Sequence, residues 1–500
     1  MDQQKKVDEF KAYLEKIVML GNALGLMHWD AQTGASKGGT ESRAKRMGYF
    51  SGEIFALETS DEMKGFIEAL DPIRDSLDEN TRAMLRICKK QYDSFAKVPV
   101  ELYAEYSKHC VEAEAVWEEA REKKDFGLFA PYLQKTLELT KEMIKYRNNG
   151  VVDYNVLLED YEPGFTTEIL DQFFQKLKTA IVPLVAQIKA SGKKIDLSFT
   201  SKAVPIEKQR ELSLWLADKI GYDFNRGMLG ESAHPFSTAF GRDDSRITTK
   251  YHENDFLSAF FSVMHECGHA IYEQNKRDDI ADTLLDTGIS MGVHESQSRF
   301  YENIIGRSLQ FWAHIADNIK SFLPEDFQHI TAEMFYEAAA HADTSFIRIE
   351  ADELTYPLHI MVRYEMEKLM FSEDVDVMDL PGLWNQKMEE YLGVTPPDDA
   401  KGILQDIHWA DGLIGYFPSY AIGSALSAQL LHYMQEEFDV YADIRKGDIS
   451  NIAAWLKKHI HQYGSVYEPG ELIQNIKGEG FNPQYYTEYI RDKFSKLYGL

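Results

Sequence analysis

Apolar residues recur three and four positions apart along most of the chain, in long segments rich in Glu, Lys, Leu, Ala and Met. This spacing places the apolar residues on one face of an α-helix and predicts a succession of amphipathic helices. Single Pro or Gly residues interrupt the pattern, and neither a repeat of fixed period nor a low-complexity linker separates independent units. We therefore predict a mainly α-helical protein that forms one domain over residues 1–500.

One region departs from the helical pattern. Between about residues 194 and 252, short runs of β-branched residues, as in DDSRITTKYH, occur among Gly and Pro residues. Such runs are typical of short strands or a hairpin. The pattern predicts a small β-sheet here, between helical walls of about residues 1–190 and 253–500. The sheet would directly precede a helix that begins near Asn254, where an exposed strand edge could bind an extended peptide.

Composition narrows the possible partners. The chain of 500 residues has 54 Lys and Arg residues against 81 Asp and Glu residues, a formal net charge of −27. Such a surface repels phosphate backbones and anionic lipids, so we expect neither nucleic-acid nor membrane binding. Three cysteines without a CxxC motif fit a reducing compartment. The first apolar run, IVMLGNALGLM, is too short to span a bilayer, so we expect a soluble cytoplasmic protein.

The segment SVMHECGHAIYEQ, residues 262–274, contains two histidines four positions apart and a glutamate directly after the first. On an α-helix, His265 and His269 point the same way, one turn apart, and can bind one Zn²⁺. Glu266 lies about 100° around the helix and can reach a water molecule on the metal, as a general base does. The alternative is a packed helix whose polar residues are satisfied by neighbours; we favour the metal site.

A catalytic zinc ion needs a third protein ligand and an open position for water. The residues after His269, AIYEQN, lack the GxxH continuation that would supply a third histidine. We favour Glu295 in MGVHESQSRFYEN, at 295 − 269 = 26 residues further on. Glu302 and Glu273 are the alternatives. With such a site, the predicted reaction is peptide hydrolysis by a metal-activated water molecule.

Six stretches of the sequence, in this order, match a known family: HPF at 234–236, DSRIT at 244–248, HECGH at 265–269, HESQ at 294–297, IRIEAD at 347–352 and GILQDIHW at 402–409. Through them the chain resembles the carboxypeptidase Taq family of metallocarboxypeptidases over essentially its whole length. The resemblance implies a mostly helical fold with a long, deep groove, similar to angiotensin-converting enzyme and neurolysin, and usually a homodimer. It also implies zinc-dependent removal of single C-terminal residues from peptides with broad side-chain tolerance, with cobalt often able to replace zinc.

Carried over residue by residue, the resemblance makes His265, His269 and Glu295 look like the metal ligands and Glu266 like the general base. It also implies sites for the substrate. The family's motif places Arg348 near the closed end of the groove, where a guanidinium can bind the free C-terminal carboxylate of the substrate. An ion pair between Arg348 and Asp352, four residues on, is the alternative. Arg246 is the second candidate, and a strand-surface charge is the alternative for it.

By analogy with related helical zinc peptidases, a downstream His and Tyr stabilise the tetrahedral intermediate. The segment DIHWADGLIGYFPSY supplies His408, Tyr416 and Tyr420 for this role. Each tyrosine could instead be a core or rim residue with a satisfied hydroxyl group. His234 in HPF could contact a substrate carbonyl group or cap the turn before Pro235.

The sequence is also compatible with two other functions. An endo-oligopeptidase of similar helical fold would share the metal residues but lack an arginine for the free C-terminus. A catalytically inactive helical scaffold would retain the motif for structure alone. The expected substrates are peptides with a free C-terminus, and only the carboxypeptidase should lose activity when that C-terminus is amidated.

Overall fold

The computed structural model describes residues 3–372 and 375–500, and it confirms a mainly α-helical fold with one small sheet. No helix in these ranges is both long and apolar enough to cross a membrane. A π-helical segment, Phe300–Gly306, directly follows the eleventh helix. The α-helices are α1 (Gln3–Thr33), α2 (Thr40–Glu58), α3 (Asp61–Leu70), α4 (Glu79–Phe95), α5 (Val100–Lys123), α6 (Phe126–Arg147), α7 (Asn155–Tyr161), α8 (Thr167–Ser191), α9 (Ile206–Lys219), α10 (Phe256–Gln274), α11 (Met291–Arg299), α12 (Leu309–Ile319), α13 (Ala332–Ala339), α14 (Tyr356–Met370), α15 (Leu380–Leu392), α16 (Pro418–Gln435), α17 (Val440–Lys446), α18 (Ser450–His459), α19 (Pro469–Lys477) and α20 (Gln484–Tyr498).

The chain divides into two compact units, each made of three stretches of sequence. The first unit comprises Met1–Phe95, Ile195–Ala339 and Leu430–Gly480. The second unit comprises the remaining stretches, Ala96–Lys194, Ala340–Gln429 and Phe481–Leu500. The single domain over residues 1–500 that the sequence predicts stays a prediction.

Part of the core of the first unit forms where α1, α3 and α4 pack together. The buried residues of α1 include Phe10, Tyr13, Leu14 and Ile17, spaced three, four and seven residues from the first. This is the spacing that places apolar side chains on one face of a helix. Removing that face from water is the main favourable contribution to packing, at about 25 cal/mol per Å² of apolar surface.

The small sheet lies in the first unit and has the strand order β1-β3-β2. Strand β1 (Leu229–Glu231) pairs in parallel with β3 (Ser245–Thr249), and β2 (Ser237–Ala239) pairs with β3 in the antiparallel sense. In register, Leu229 and Ser237 both lie opposite Ile247. All three strands fall within the region where the sequence predicts a sheet.

The first half of that region differs from the sequence prediction. Residues 206–219 form α9, and residues 193–200, KKIDLSFT, form no strand. Helix α9 begins directly after Pro205, and its buried residues include Leu212 and Leu216, four positions apart. Apolar residues at helical spacing after an initial proline favour a helix. The only strands among the described residues are the three further on, of which β3 is the β-branched run.

Helix α10 carries the HECGH segment and packs against β2, β3, α9 and α11. Gly268 lies on the side of α10 that faces α11. A Cβ atom at Gly268 would lie 2.6 Å from the carbonyl oxygen of Gln297 and 2.6 Å from the Cα atom of Ser298. The absence of a side chain therefore allows the two helix backbones to approach closely, and this contact sets the distance between HECGH and Glu295.

Replacing Gly268 with Ala should lower the melting temperature of the protein, because the new methyl group meets backbone atoms and overpacking costs about 1 to 3 kcal/mol. Gly65 in α3 is a matched control, because nothing lies within 4 Å of a Cβ atom at that position. Gly65→Ala should leave stability unchanged or raise it by up to about 1 kcal/mol. Thermal denaturation of the metal-free variants measures both effects. Equal melting temperatures would contradict a tight contact at Gly268.

Candidate functional site

Helices α10 and α11 bring His265, His269 and Glu295 together in the first unit. The Oε2 atom of Glu295 lies 3.7 Å from Nε2 of His265 and 3.5 Å from Nε2 of His269. One ligand atom from each residue lies within 4.8 Å of the others. No other group of three or more His, Cys, Asp and Glu residues in the described ranges is arranged to hold a metal ion.

This donor set fits a divalent metal such as zinc. Catalytic zinc sites use imidazole nitrogen and carboxylate oxygen atoms at about 2.0 to 2.2 Å from the metal. Around a tetrahedral ion, donors at that distance lie roughly 3.3 to 3.6 Å from one another. The 3.5 Å and 3.7 Å separations of Glu295 from the two imidazoles are close to this spacing. These three residues are therefore the ones that would hold the metal.

Glu302, an alternative ligand in the sequence, is a partner of His265 in the structure. Its Oε2 atom lies 2.9 Å from Nδ1 of His265, the nitrogen that faces away from Glu295. Arg299 and Arg307 also donate hydrogen bonds to the Glu302 carboxylate, at 3.1 Å and 3.0 Å. A carboxylate on the second nitrogen of a ligand histidine fixes its tautomer and ring orientation.

Glu273, the other alternative, reaches the site through a residue that sequence analysis did not identify. Nδ1 of His269 lies 2.5 Å from Nδ1 of His294, and Nε2 of His294 lies 2.8 Å from Oε1 of Glu273. Lys276 donates a hydrogen bond to the same carboxylate. The signal for His294 was its position directly before Glu295 in the HESQ stretch.

Two of the buried carboxylates around the histidines, those of Glu266 and Glu295, have different protonation properties. Burial raises the pKa of Glu266 to about 7, although His265 and the hydroxyl group of Ser237 in β2 oppose the shift. Burial alone would raise the pKa of Glu295 too, but Arg299, which donates its Nε–H at 2.6 Å, lowers it well below its usual range. Glu295 is thus ionised, as a ligand must be, while Glu266 can accept and release a proton near neutral pH.

Arg348 lies in the second unit, in a buried cluster of charged side chains. Its Nε and Nη2 atoms donate to Oδ1 of Asp406 at 3.0 Å and 2.8 Å, and its Nη1 atom donates to the hydroxyl group of Tyr356 at 3.0 Å. Arg363, which is completely buried, donates its Nε–H to Oδ2 of the same Asp406 at 2.7 Å. We call Arg348, Arg363 and Asp406 the arginine cluster.

Two guanidinium groups in the arginine cluster share one carboxylate. Burial alone would raise the pKa of Asp406, but Arg363 and Arg348 hold it well below its usual range. Among the described residues, Asp406 is the one carboxylate bonded to either arginine. The cluster therefore carries one more positive charge than negative charge. Asp352, the alternative partner of Arg348 from the sequence, instead accepts backbone N–H bonds from Leu354 and Thr355.

The other two predicted substrate contacts lie in the first unit. Arg246 in β3 donates Nε–H and Nη2–H bonds to the two oxygens of Asp244 at 2.7 Å and 2.6 Å. Its guanidinium carbon also lies 5.5 Å from the ring centre of Trp29. His234 is exposed, and its backbone carbonyl oxygen accepts a bond from Ser232 at 2.6 Å. Substrate binding by either residue stays a prediction.

The structure brings His408, Tyr416 and Tyr420 together in the second unit. Nε2 of His408 lies 3.3 Å from the hydroxyl group of Tyr420. The ring centre of Tyr416 lies 5.7 Å from that of His408 and 5.2 Å from that of Tyr420. Burial lowers the pKa of His408 to about 4, so its imidazole is neutral at neutral pH.

Glu367 of α14 anchors the segment that carries these three side chains. Its buried carboxylate accepts hydrogen bonds from the hydroxyl group of Tyr154 at 2.5 Å, from Nε1 of Trp409 at 2.9 Å and from the backbone N–H of Gly415 at 2.9 Å. This residue was not predicted from the sequence. In the sequence, Glu367 lies three positions from both Tyr364 and Met370, on the apolar face of α14. An acidic residue on an apolar helix face is the signal that could have identified it.

Comparison with known proteins finds similarity over nearly the whole chain. The family model described as "Carboxypeptidase Taq (M32) metallopeptidase" matches residues 9–494. The chain is 48% identical to Carboxypeptidase 1 of Bacillus subtilis (strain 168) over 98% of each chain. It is 36% identical to Thermostable carboxypeptidase 1 of Pyrococcus furiosus, covering 98% of this chain and 99% of that one. It matches the crystal structure of the M32 carboxypeptidase from Deinococcus radiodurans R1 with a TM-score of 0.94, 34% identity, and coverage of 99% of this chain and 100% of that one.

The buried carboxylate of Glu367 should make the stability of the protein depend on pH. Burial raises the pKa of Glu367 from 4.5 to about 7, so between these values the folded protein binds more protons at this residue than the unfolded chain does. Stability should therefore fall as pH rises through this window, by on the order of 3 kcal/mol from this group. Gln at this position cannot titrate. The melting temperature of the wild type minus that of Glu367→Gln should decrease from pH 4.5 to pH 7.5, and a difference that is constant with pH would contradict this.

Proposed function

The chain belongs to the carboxypeptidase Taq (M32) metallopeptidase family and is a metallocarboxypeptidase that uses a divalent metal, and we propose that this metal is zinc and that Glu266 is the general base. We further propose that the enzyme removes single C-terminal residues from peptides with broad side-chain tolerance. The observation that carries the proposal is the group formed by His265, His269 and Glu295, with the buried Glu266 beside it.

The residues around the metal site would each perform one step of peptide hydrolysis. A divalent metal held by His265, His269 and Glu295 would supply Lewis-acid polarisation of the scissile carbonyl group and acidify a water molecule. Glu266 would take the proton from the attacking water molecule and deliver it to the leaving amine. Its pKa of about 7, raised by burial, suits both transfers.

For the developing oxyanion we propose His408, Tyr416 and Tyr420 as the source of donors. A neutral imidazole and two phenol groups offer N–H and O–H donors without placing a further charge in the site. Anchoring of their segment by Glu367 supports this role, because a donor that is already positioned need not be ordered during the reaction. Contact between His234 and a substrate carbonyl group stays a prediction.

Recognition of the free C-terminus would require a cation that is not already neutralised. The guanidinium of Arg348 has five N–H bonds, and those to Asp406 and Tyr356 account for three of them. The excess positive charge of the arginine cluster would be balanced by one carboxylate. Arg246, by contrast, is matched one to one with Asp244. These contacts favour Arg348 over Arg246 as the group that binds the substrate's C-terminal carboxylate.

The remaining expectations from the sequence stay proposals. Cobalt should be able to replace zinc, because the imidazole and carboxylate donors of this site also suit that ion. Homodimeric assembly and a cytoplasmic location rest on the resemblance and on composition.

Incubation with an unblocked peptide tests the proposed function directly. The zinc-loaded protein should produce a ladder of fragments shortened only from the C-terminus, which mass spectrometry detects. The same peptide with an amidated C-terminus should be resistant. Glu266→Gln, which should retain zinc but lose activity by roughly 10²- to 10⁴-fold, is the matched control against a contaminating peptidase. Internal cleavage, insensitive to amidation, would instead favour an endo-oligopeptidase, and zinc-loaded protein without activity would favour a scaffold.

Replacing Arg348 with Ala should reduce kcat/KM for peptides with a free C-terminus by roughly 2 to 5 kcal/mol of transition-state binding, the range for loss of a buried charge pair. Arg246→Ala is the comparison variant and should have a much smaller effect. Steady-state kinetics with one short unblocked peptide measure both. If Arg348→Ala retains wild-type kinetics and Arg246→Ala does not, the carboxylate-binding role belongs to Arg246.

A further inference from the structure

The two histidines of the candidate metal site have different supporting partners. His265 contacts a carboxylate directly, through the 2.9 Å contact with Glu302. His269 contacts a second imidazole, that of His294, and only the far nitrogen of His294 reaches a carboxylate, Glu273. A ligand histidine commonly bonds directly to a carboxylate, a backbone carbonyl or water. The inserted imidazole of His294 therefore needs its own physical explanation.

A chain of hydrogen bonds runs from His269 through His294 and Glu273 to Lys276, and the charge of Lys276 fixes the direction of these bonds. The ammonium group of Lys276 is completely buried and contacts the carboxylates of both Glu273 and Asp286. An ammonium group can only donate and an ionised carboxylate can only accept. Glu273 must therefore accept from Lys276 on one oxygen and from Nε2–H of His294 on the other.

The tautomer of His269 then follows from that of His294. With its hydrogen on Nε2, a neutral His294 has an unprotonated Nδ1 that can only accept. Only one hydrogen fits between the two Nδ1 atoms, which are 2.5 Å apart. His269 must supply it, which leaves the Nε2 atom of His269 unprotonated. That atom lies 3.5 Å from Glu295 and is the one that would bind the metal.

Packing holds the His294 ring in the position that this hydrogen-bond chain requires. Gly288 lies directly against the ring, and a Cβ atom at Gly288 would come within 2.3 Å of Cδ2 of His294. The ring of Tyr272 is centred 5.2 Å from that of His294. The hydroxyl group of Tyr272 accepts the backbone N–H of Ile289 at 3.2 Å, next to Gly288. The ring therefore has little freedom to turn.

We propose that His294 is a positioning residue for the metal: supported by Glu273 and Lys276, it holds His269 in the tautomer and orientation that expose Nε2, and it thereby sets metal affinity. This inference rests on the proposed function only in taking His269 as a ligand. It assigns a role to residues outside the ligand set and concerns affinity, so it can be tested without measuring hydrolysis.

Zinc titration of the metal-free protein in competition with a chelator is the test. His294→Ala removes the acceptor for Nδ1–H of His269 and should weaken zinc binding by roughly 10- to 100-fold, the usual loss for such partners. His294→Asn places a side-chain oxygen near the former Nδ1 position and should recover most of that loss. His252, an exposed histidine of the same unit, supplies the control His252→Ala, which should bind zinc as the wild type does.

Glu273→Gln tests the direction of the hydrogen bonds in this hydrogen-bond chain, because it removes the carboxylate charge without changing the size of the side chain. The buried Lys276 would bond to the amide oxygen, so the amide NH₂ group would face Nε2 of His294. The hydrogen of His294 would then move to Nδ1 and oppose Nδ1–H of His269. Zinc affinity should fall, although the side chain keeps its shape. Melting temperatures of the metal-free variants separate this effect from general loss of structure.

Each outcome decides the question. Weaker binding by His294→Ala and Glu273→Gln, with recovery in His294→Asn, supports the proposal. Wild-type affinity in His294→Ala, or equal affinities of the Ala and Asn variants, overturns it and leaves the proposed function standing. If His294→Ala does not fold, wild-type affinity in Glu273→Gln overturns it equally. A wild-type protein that binds no zinc would overturn the proposed function as well, whereas zinc binding without hydrolysis would leave this inference intact.

Discussion

Burial of carboxylates among packed helices is the constraint on which both polar clusters depend. A buried ionised carboxylate is costly unless a cation or several hydrogen-bond donors compensate it. At the candidate metal site, Arg299 and Arg307 compensate Glu295 and Glu302. Glu266 contacts no arginine there among the described ion pairs, and burial raises its pKa to about 7. The distribution of arginines thus decides which carboxylate is permanently charged and which exchanges protons.

The two clusters have opposite net charges. Around His265 and His269, three carboxylates stand against two guanidinium groups, which leaves one excess negative charge when Glu266 is ionised. The carboxylates are those of Glu266, Glu295 and Glu302, and the guanidinium groups are those of Arg299 and Arg307. The arginine cluster has the opposite imbalance, with two guanidinium groups on one carboxylate. A cation is stabilised at the first cluster and an anion at the second. These are the charges of a divalent metal and of a free peptide C-terminus, respectively.

Local spacing predicted what lies on one element and failed where partners come from elsewhere in the chain. The four-residue interval between His265 and His269 fixes their common direction on any α-helix, so their convergence was predictable. The same reasoning offered Asp352 as the partner of Arg348, whereas the structure pairs Arg348 with Asp406, 58 residues away. His294 was missed for a related reason, because its role depends on how α11 packs against α10 at Gly268. Helical periodicity carries no information about such contacts.

Two buried carboxylates with the same raised pKa have opposite capacities for proton transfer. Burial brings the pKa of both Glu266 and Glu367 to about 7. Three donors, from Tyr154, Trp409 and Gly415, occupy the oxygens of Glu367, so a proton gained there disturbs an anchor. No comparable set of donors surrounds Glu266 among the described residues, so lone pairs remain to receive a proton from water. A pKa near neutrality therefore marks a general base only where the surrounding donors leave the carboxylate open.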